Sequence, residues 1–580
     1  MKLNILIIIL FSLYASACSK KPAETTSERV DRIAAEFVNA YYAHYPEEAF
    51  ESGYPDAPSD RFGDHSAESR AAWDQKVDEW LQQLDSIDLS TLNGTPSVLT
   101  YLFALDRLQA IRDRRVCRTE LWNISPTWTG WQTTAVDTLA AQAVETPSQR
   151  AAALARLADL PRFIDTEISN LREGVERGYL APQTNVAAVA EQITSLLEMQ
   201  TDDSPLFNPA TRSSDTTFID RYREILETDV QSALTRYRDF LIRDYEGREQ
   251  IGVRENPAGT SCYAASVRYW SSLSMNAAEI HRAGLSNMSR IQSEMLVVAK
   301  ESFGTDDVGA LLQDLKTNPL YTFASEQEML DHIAAAVERG EAAVSEWFGN
   351  VPDARMVIVP YPAYEKNSGG GFYSAGSPDG RRPGTYKVGT YNPRGISKAG
   401  QESTAFHESW PGHHMQTSIA LLNESLHPIL RYMWVSGSGE GWALYTEKLA
   451  DEMGLYSSAV TRMGMLSDEA HRAARLVIDT GMHVMGWTRQ QAIDYILENT
   501  ALGVDNATYE VDRYAAVPGQ ATSYLIGSLE IQRLRALAER ALGDRFDIRV
   551  FHDRILENGA VTLPMLGMSI EGWIRETLAE

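Results

Sequence analysis

A chain of 580 residues is long enough to bury a large core, in one big domain or in two lobes. Its apolar fraction, 44%, is ordinary for a globular protein. The net charge of −26 argues against nucleic acid as a partner, while saying little about substrate.

The N-terminus reads as an address. Met1-Lys2 precedes an apolar run from Leu3 to Leu13, and Ala15-Ser16-Ala17 leads into Cys18. A short basic start, an apolar stretch and small residues make a signal peptide over 1–17, too short to span a membrane as a mature helix. The cysteine at the cut resembles a bacterial lipobox. That resemblance implies cleavage before Cys18, its lipidation and export. Ser19 in place of Asp points by analogy to the outer membrane of a Gram-negative bacterium, with the protein on the periplasmic side. Membrane contact is then expected through the Cys18 anchor only, with residues 18–28 as a flexible tether. Cys117 and Cys262 remain. An oxidising compartment would let them pair, and two buried thiols fit the sequence equally.

Residues 29–349 read as a helical region. Apolar spacing predicts helices over 29–50, 67–86, 97–115, 183–200, 217–245, 276–303 and 326–347. The clearest is 147–177, where Leu154, Leu157, Leu160, Ile164, Ile168, Leu171 and Val175 follow steps of three and four. Thr146-Pro147-Ser148 starts it, and glycines at 174 and 178 end it.

The texture changes in region 350–580. Residues 355–360 and 386–391 predict two short strands around a Gly-, Ser- and Pro-rich stretch from 365 to 384. Together they suggest a small antiparallel element with a long loop. Such a loop could close over a site or offer a sheet edge to extended substrate.

Next comes His407-Glu408-Ser-Trp-Pro411-Gly412-His413-His414. His-Glu opens the zinc-hydrolase helix motif, in which a second His follows four residues after the first. Here that position is Pro411, and the next histidines stand at offsets of six and seven. On a straight helix an offset of six lies about 240° round and roughly 9 Å along. A bulge or break at 410–412 would swing His413 back beside His407. Downstream, Ser436-Gly-Ser-Gly-Glu440-Gly-Trp-Ala-Leu-Tyr-Thr-Glu447 predicts a loop whose glycines give way to a helix opened by Glu440. That carboxylate suits a third metal ligand while leaving a coordination position open. Glu447, on nearly the same face, suits either orienting a ligand or a surface ion pair. The C-terminal third offers His483, Arg513, Tyr514 and Tyr524. Tyrosine hydroxyls and a His donor suit an oxyanion opposite a metal, and Arg513 suits a substrate carboxylate. Each also suits a buried, hydrogen-bonded core position.

The ordered set His407-Glu408-x-x-Pro411-Gly412-His413, Glu440-Gly-Trp-Ala-Leu-Tyr, Arg513-Tyr514 and Pro518-Gly519-Gln520-Ala resembles the bacterial family called domain of unknown function 885. Glu279-Ile-His281 and Phe551-His552 extend the likeness over most of the chain. The resemblance implies His413, not His414, as the second ligand. It also implies a mainly α, two-lobed fold with a deep cleft, like zinc metallopeptidases of the gluzincin type. The expected site is then Zn²⁺ on His407, His413 and Glu440. Glu408 serves as general base, and Tyr524, with Tyr514 or His483, faces the oxyanion. The expected function is hydrolysis of short peptides in the periplasm by a membrane-anchored lipoprotein. Hydrolysis of another amide or ester, or binding without catalysis, are the alternatives.

Overall fold

The computed structural model describes residues 24–361 and 370–580. The expected signal peptide, Cys18 and most of the tether lie outside the described residues. The fold is mainly helical, 71% helix and 3% strand.

Helix α1 (Thr26–His44) begins inside the stretch read as tether. The reason is a capping box: Thr25 accepts the Glu28 backbone N–H, and the Glu28 carboxylate accepts that of Thr25. Helix α2 (Ser97–Arg114) packs on α1. Helix α3 (Pro147–Arg177) has the bounds its sequence signals predict. Thr146 and Gln149 form a second capping box, and Gly178 closes the helix at φ 77°. Helix α4 (Gly259–Ser271) is tied to the turn after α2 by a disulfide between Cys117 and Cys262. That settles the pairing the sequence left open. Helix α5 (Ala277–Val298) completes the helices needed here before the sheet.

The sheet has strands β1 (Met356–Pro360), β2 (Gly371–Ser374) and β3 (Gly384–Val388), in the order β1-β3-β2. It is mixed rather than antiparallel. β3 runs parallel to β1 and antiparallel to β2. The Gly-rich stretch expected as loop supplies β2, whose reversal returns the chain so that β3 comes back parallel to β1. The front of that stretch, 362–369, lies outside the described residues, and with it part of the expected lid.

Six further helices carry the site: α6 (Gln401–Glu408), α7 (His413–Leu422), α8 (Ser436–Glu452), α9 (Ala459–Thr480), α10 (Val504–Ala516) and α11 (Ser523–Leu542). Helices α8 and α11 cross backbone to backbone. A Cβ on Gly441 would lie 2.5 Å from the Gly527 Cα, and one on Gly527 would lie 1.8 Å from the Gly437 carbonyl oxygen. Only glycine permits that approach. Helix α5 lies on α9 through Gly284, where a Cβ would come within 2.8 Å of the Leu476 and Val477 side chains. One apolar core runs from Val30 to Ile574, on both sides of residue 350. A second, from Phe62 to Tyr245, lies within the N-terminal helices.

Buried histidines act as neutral spacers in this core. His483 is fully buried; its Nδ1 accepts the Val253 N–H at 3.0 Å and its Nε2 donates to the Tyr514 carbonyl at 3.0 Å. His552 donates from Nδ1 to the Trp347 carbonyl at 2.9 Å and meets the Tyr445 hydroxyl at 2.8 Å. Burial holds both imidazoles down at about 3. In the unfolded chain each titrates near about 6.5, so below that pH the unfolded state binds the extra protons. Their contribution is complete above that pH and is lost as pH falls toward the folded values, at up to about 1.4 kcal/mol per pH unit for each. Urea unfolding at pH 7.5, 6 and 5 should show falling stability. His483→Gln, weaker at pH 7.5, should fall less steeply, and an unchanged slope would remove His483 from the account.

Candidate metal centre

The break expected at 410–412 is present. Helix α6 stops at Glu408, Ser409 leaves helical geometry at φ −114°, ψ −118°, and α7 restarts at His413. The Trp410–Pro411 peptide is cis. Gly412 sits where a Cβ would be 2.0 Å from the His407 carbonyl oxygen. Any side chain there would push the two histidines apart. The turn is held by the Trp442 indole N–H, which donates to the Pro411 carbonyl at 3.0 Å. Across from it, Gly340 admits the Trp410 carbonyl, which a Cβ would meet at 2.4 Å.

The reversal brings the His407 and His413 rings to 4.8 Å between centroids at 88°. Glu440 comes from α8. The helix begins at Ser436, so Glu440 lies in its second turn rather than opening it, and the glycines are helical. The Glu440 Oε2 is 3.4 Å from His407 Nε2 and 3.3 Å from His413 Nε2. All three donor atoms lie within 4.8 Å of one another. Bonds of about 2.0–2.1 Å at tetrahedral angles would put neighbouring donors roughly 3.3 Å apart, the spacing of Glu440 Oε2 from each imidazole.

The ring nitrogens facing away from the ligand position are occupied. His407 Nδ1 donates to the Glu447 carboxylate at 2.8 Å, and Ser403 donates to the other Glu447 oxygen at 2.6 Å. Arg472 stands 3.5 Å from the same carboxylate. Glu447 is therefore an orienting group, not a surface ion pair. His413 Nδ1 faces the Gln416 side-chain oxygen at 3.3 Å. His414 turns elsewhere: Nδ1 meets the Tyr373 hydroxyl at 2.9 Å and Nε2 the Ala354 carbonyl at 3.1 Å. It pins the sheet to α7.

Burial and mutual hydrogen bonding oppose each other at these groups. Burial pulls the His407 imidazole down, yet hydrogen bonds to Glu440 and Glu447 reverse this and hold it up at about 9. Burial pushes Glu440 up, and the two imidazoles overcome it and hold the carboxyl well below its usual range. Glu408 differs. Burial raises its carboxyl against the pull of His407 and His413, the direction a general base at neutral pH requires.

Tyr524 is the one expected oxyanion donor that the fold brings to the cluster. Its ring lies 6.4 Å from that of His407, at 23°. It stands one turn before Gly527, and Glu440 immediately precedes Gly441, so the glycine crossing sets both. The other expected residues do not join. Tyr514 is fully buried; its hydroxyl donates to Glu510 and accepts from Arg475 Nε at 2.7 Å. Arg513 donates to Gln520 at 2.6 Å and to Glu510 at 2.9 Å, so its own chain takes the place of a substrate carboxylate. His483 is spent on two backbone groups. These three support the wall behind Tyr524, where the Arg475 guanidinium stacks 4.4 Å from the Tyr524 ring centre.

Sequence reasoning passed over Trp434. It is 42% exposed, its ring centre is 5.5 Å from that of His413, and it covers Gly439, where a Cβ would meet it at 2.2 Å. An aromatic residue just before the glycine-rich helix was the available signal.

Elemental analysis of purified variants tests the ligand set. His413→Ala should lose most bound zinc, whereas His414→Ala should keep it and loosen the sheet. Glu447→Gln should weaken metal affinity by about 10–100-fold. Zinc that follows His414 instead would shift the ligand by one residue.

Comparisons with known proteins agree with this architecture. A candidate lipoprotein from Colwellia psychrerythraea superposes with a TM-score of 0.88 at 22% identity, over 95% of this chain and 100% of that one. A candidate lipoprotein of unknown function from Shewanella oneidensis gives 0.71 at 17% identity, again over 95% and 100%. These likenesses establish the fold. No curated protein matches the sequence. A family model described as bacterial protein of unknown function, DUF885, matches residues 46–570, and the chain belongs to that family.

Proposed function

We propose that the protein is a zinc-dependent hydrolase of short peptides, with a two-lobed fold of the gluzincin kind. The observation that carries this reading is the pair of contacts from Glu440 Oε2 to His407 Nε2 at 3.4 Å and His413 Nε2 at 3.3 Å, beside the buried Glu408 carboxylate on the next residue of α6. Zinc held there would polarise the scissile carbonyl and bring water toward neutral acidity.

The chain's own residues do the rest. Glu408 takes the proton of the attacking water and returns it to the leaving amine. The Tyr524 hydroxyl donates to the carbonyl oxygen as negative charge develops on it. Glu447 keeps the His407 ring in one tautomer and one orientation. Trp434, half-open to solvent against His413, is a surface for a substrate side chain. The β2 edge, which packs beside α6, suits an extended peptide.

The same proposal places the protein on the periplasmic side of an outer membrane, held by lipid on Cys18. The sequence before Cys18 supports it, as does the Cys117–Cys262 disulfide, which suits an oxidising compartment. Among the described residues no helix is long and apolar enough to cross a membrane. Two of the similar solved structures are of candidate lipoproteins.

Turnover of a mixed peptide library, read by mass spectrometry, tests the activity. Glu408→Gln should cost about 10²–10⁴-fold or more in rate while keeping zinc and melting temperature. Tyr524→Phe should cost roughly 10²–10³-fold in kcat. Full activity in Glu408→Gln would remove the base. Zinc binding without peptide turnover in the wild type would redirect the reading to another amide or an ester.

Fractionation tests the anchor. Cys18→Ser should leave the membrane fraction, and unchanged retention would contradict lipidation at Cys18.

A further inference from the structure

Tyr386 stands in the central strand β3, facing α6. It is fully buried, yet its hydroxyl has no hydrogen-bond partner among the described residues. A buried hydroxyl left unpaired costs roughly 1–3 kcal/mol, so a phenylalanine at this position would suit the fold better. The position of the hydroxyl suggests why a tyrosine is there. A Cβ built on Gly371 of β2 would lie 2.6 Å from the Tyr386 ring, 3.1 Å from its hydroxyl oxygen and 2.8 Å from the Thr404 methyl. The hydroxyl therefore lies along the face of α6 that carries Thr404. One helical turn on, the same face carries Glu408. Burial raises the Tyr386 hydroxyl far above its ordinary range, and the Glu408 carboxylate is the charge that adds most to the effect.

We infer that Tyr386 is a positioning residue for Glu408: its hydroxyl donates to the Glu408 carboxyl when that side chain turns toward the sheet, in the free protein as in the reacting complex. The donor is neutral, buried and fixed by the sheet. It favours one rotamer of the base without competing for the metal. Gly371 is part of the device, because any side chain there would displace the ring from beside α6. The inference rests on the hydrolase reading for its kinetic consequence, and for the contact on the place of the hydroxyl beside Thr404, one helical turn before Glu408.

Tyr386→Phe removes one oxygen atom and leaves the packing. A purely structural tyrosine with an unpaired hydroxyl would lose nothing. A positioning one should lose about tenfold or more in kcat with little change in KM, because a hydrogen bond to a charged group in the reacting complex is gone. Zinc content should stay the same. A second readout needs no substrate. The melting-temperature change caused by Tyr386→Phe should differ between the wild-type and Glu408→Gln backgrounds, since contacting residues are not additive. Equal changes in both backgrounds, or an unchanged kcat, would overturn the inference. If no peptide is turned over at all, the hydrolase reading fails, and the melting comparison still decides the contact.

Discussion

The site depends on a broken helix. His407 and His413 are too far apart on any regular helix to share an ion, and they meet because the backbone folds back over four residues. The constraint is steric at its sharpest point: the Gly412 backbone lies on the His407 carbonyl, with no room for a Cβ. Trp442 and Gly340 hold the turn from two sides, one by a hydrogen bond and one by the absence of a side chain. His413 thus reaches His407 through three residues outside the pair, Gly412, Trp442 and Gly340.

A second close approach sets the other half of the centre. Helices α8 and α11 touch along Gly437, Gly441 and Gly527. Glu440 and Tyr524 flank that contact, so their separation is fixed by two backbones rather than by flexible side chains. Helix α9 then supplies Arg472, which faces Glu447, and Arg475, which backs Tyr524. The polar atoms around the cluster are layered. The ligand atoms face the ion position, Glu447 and Ser403 stand behind His407, and the Arg475, Arg513, Glu510 and Tyr514 network stands behind Tyr524. That layering explains why Tyr514 and Arg513, placed together in sequence with catalytic-looking partners, serve as support.

The sheet is small but central. It is tied to α7 by His414 and to α6 through Tyr386 and Gly371. The same short strands thereby touch the helices that carry His413 and Glu408.

Local patterns determined much by themselves. The apolar stripe and capping box of α3, the bounds of 326–347 and the break at Trp410-Pro411-Gly412 all rest on residues close in sequence or on strong stereochemical signals. Only the tertiary structure decided what depended on distant partners. It assigned β2 to a glycine-rich stretch that looked like loop, because strand pairing there comes from β3 and not from propensity. It turned Glu447 inward to His407, although a lone helical carboxylate reads equally as surface. It closed Cys117 on Cys262 across 145 residues. It also sent His483, Tyr514 and Arg513 into the scaffold and left Tyr524 at the cluster. Residue type shows what a side chain can do, and which neighbour satisfies it is settled only when separate helices pack.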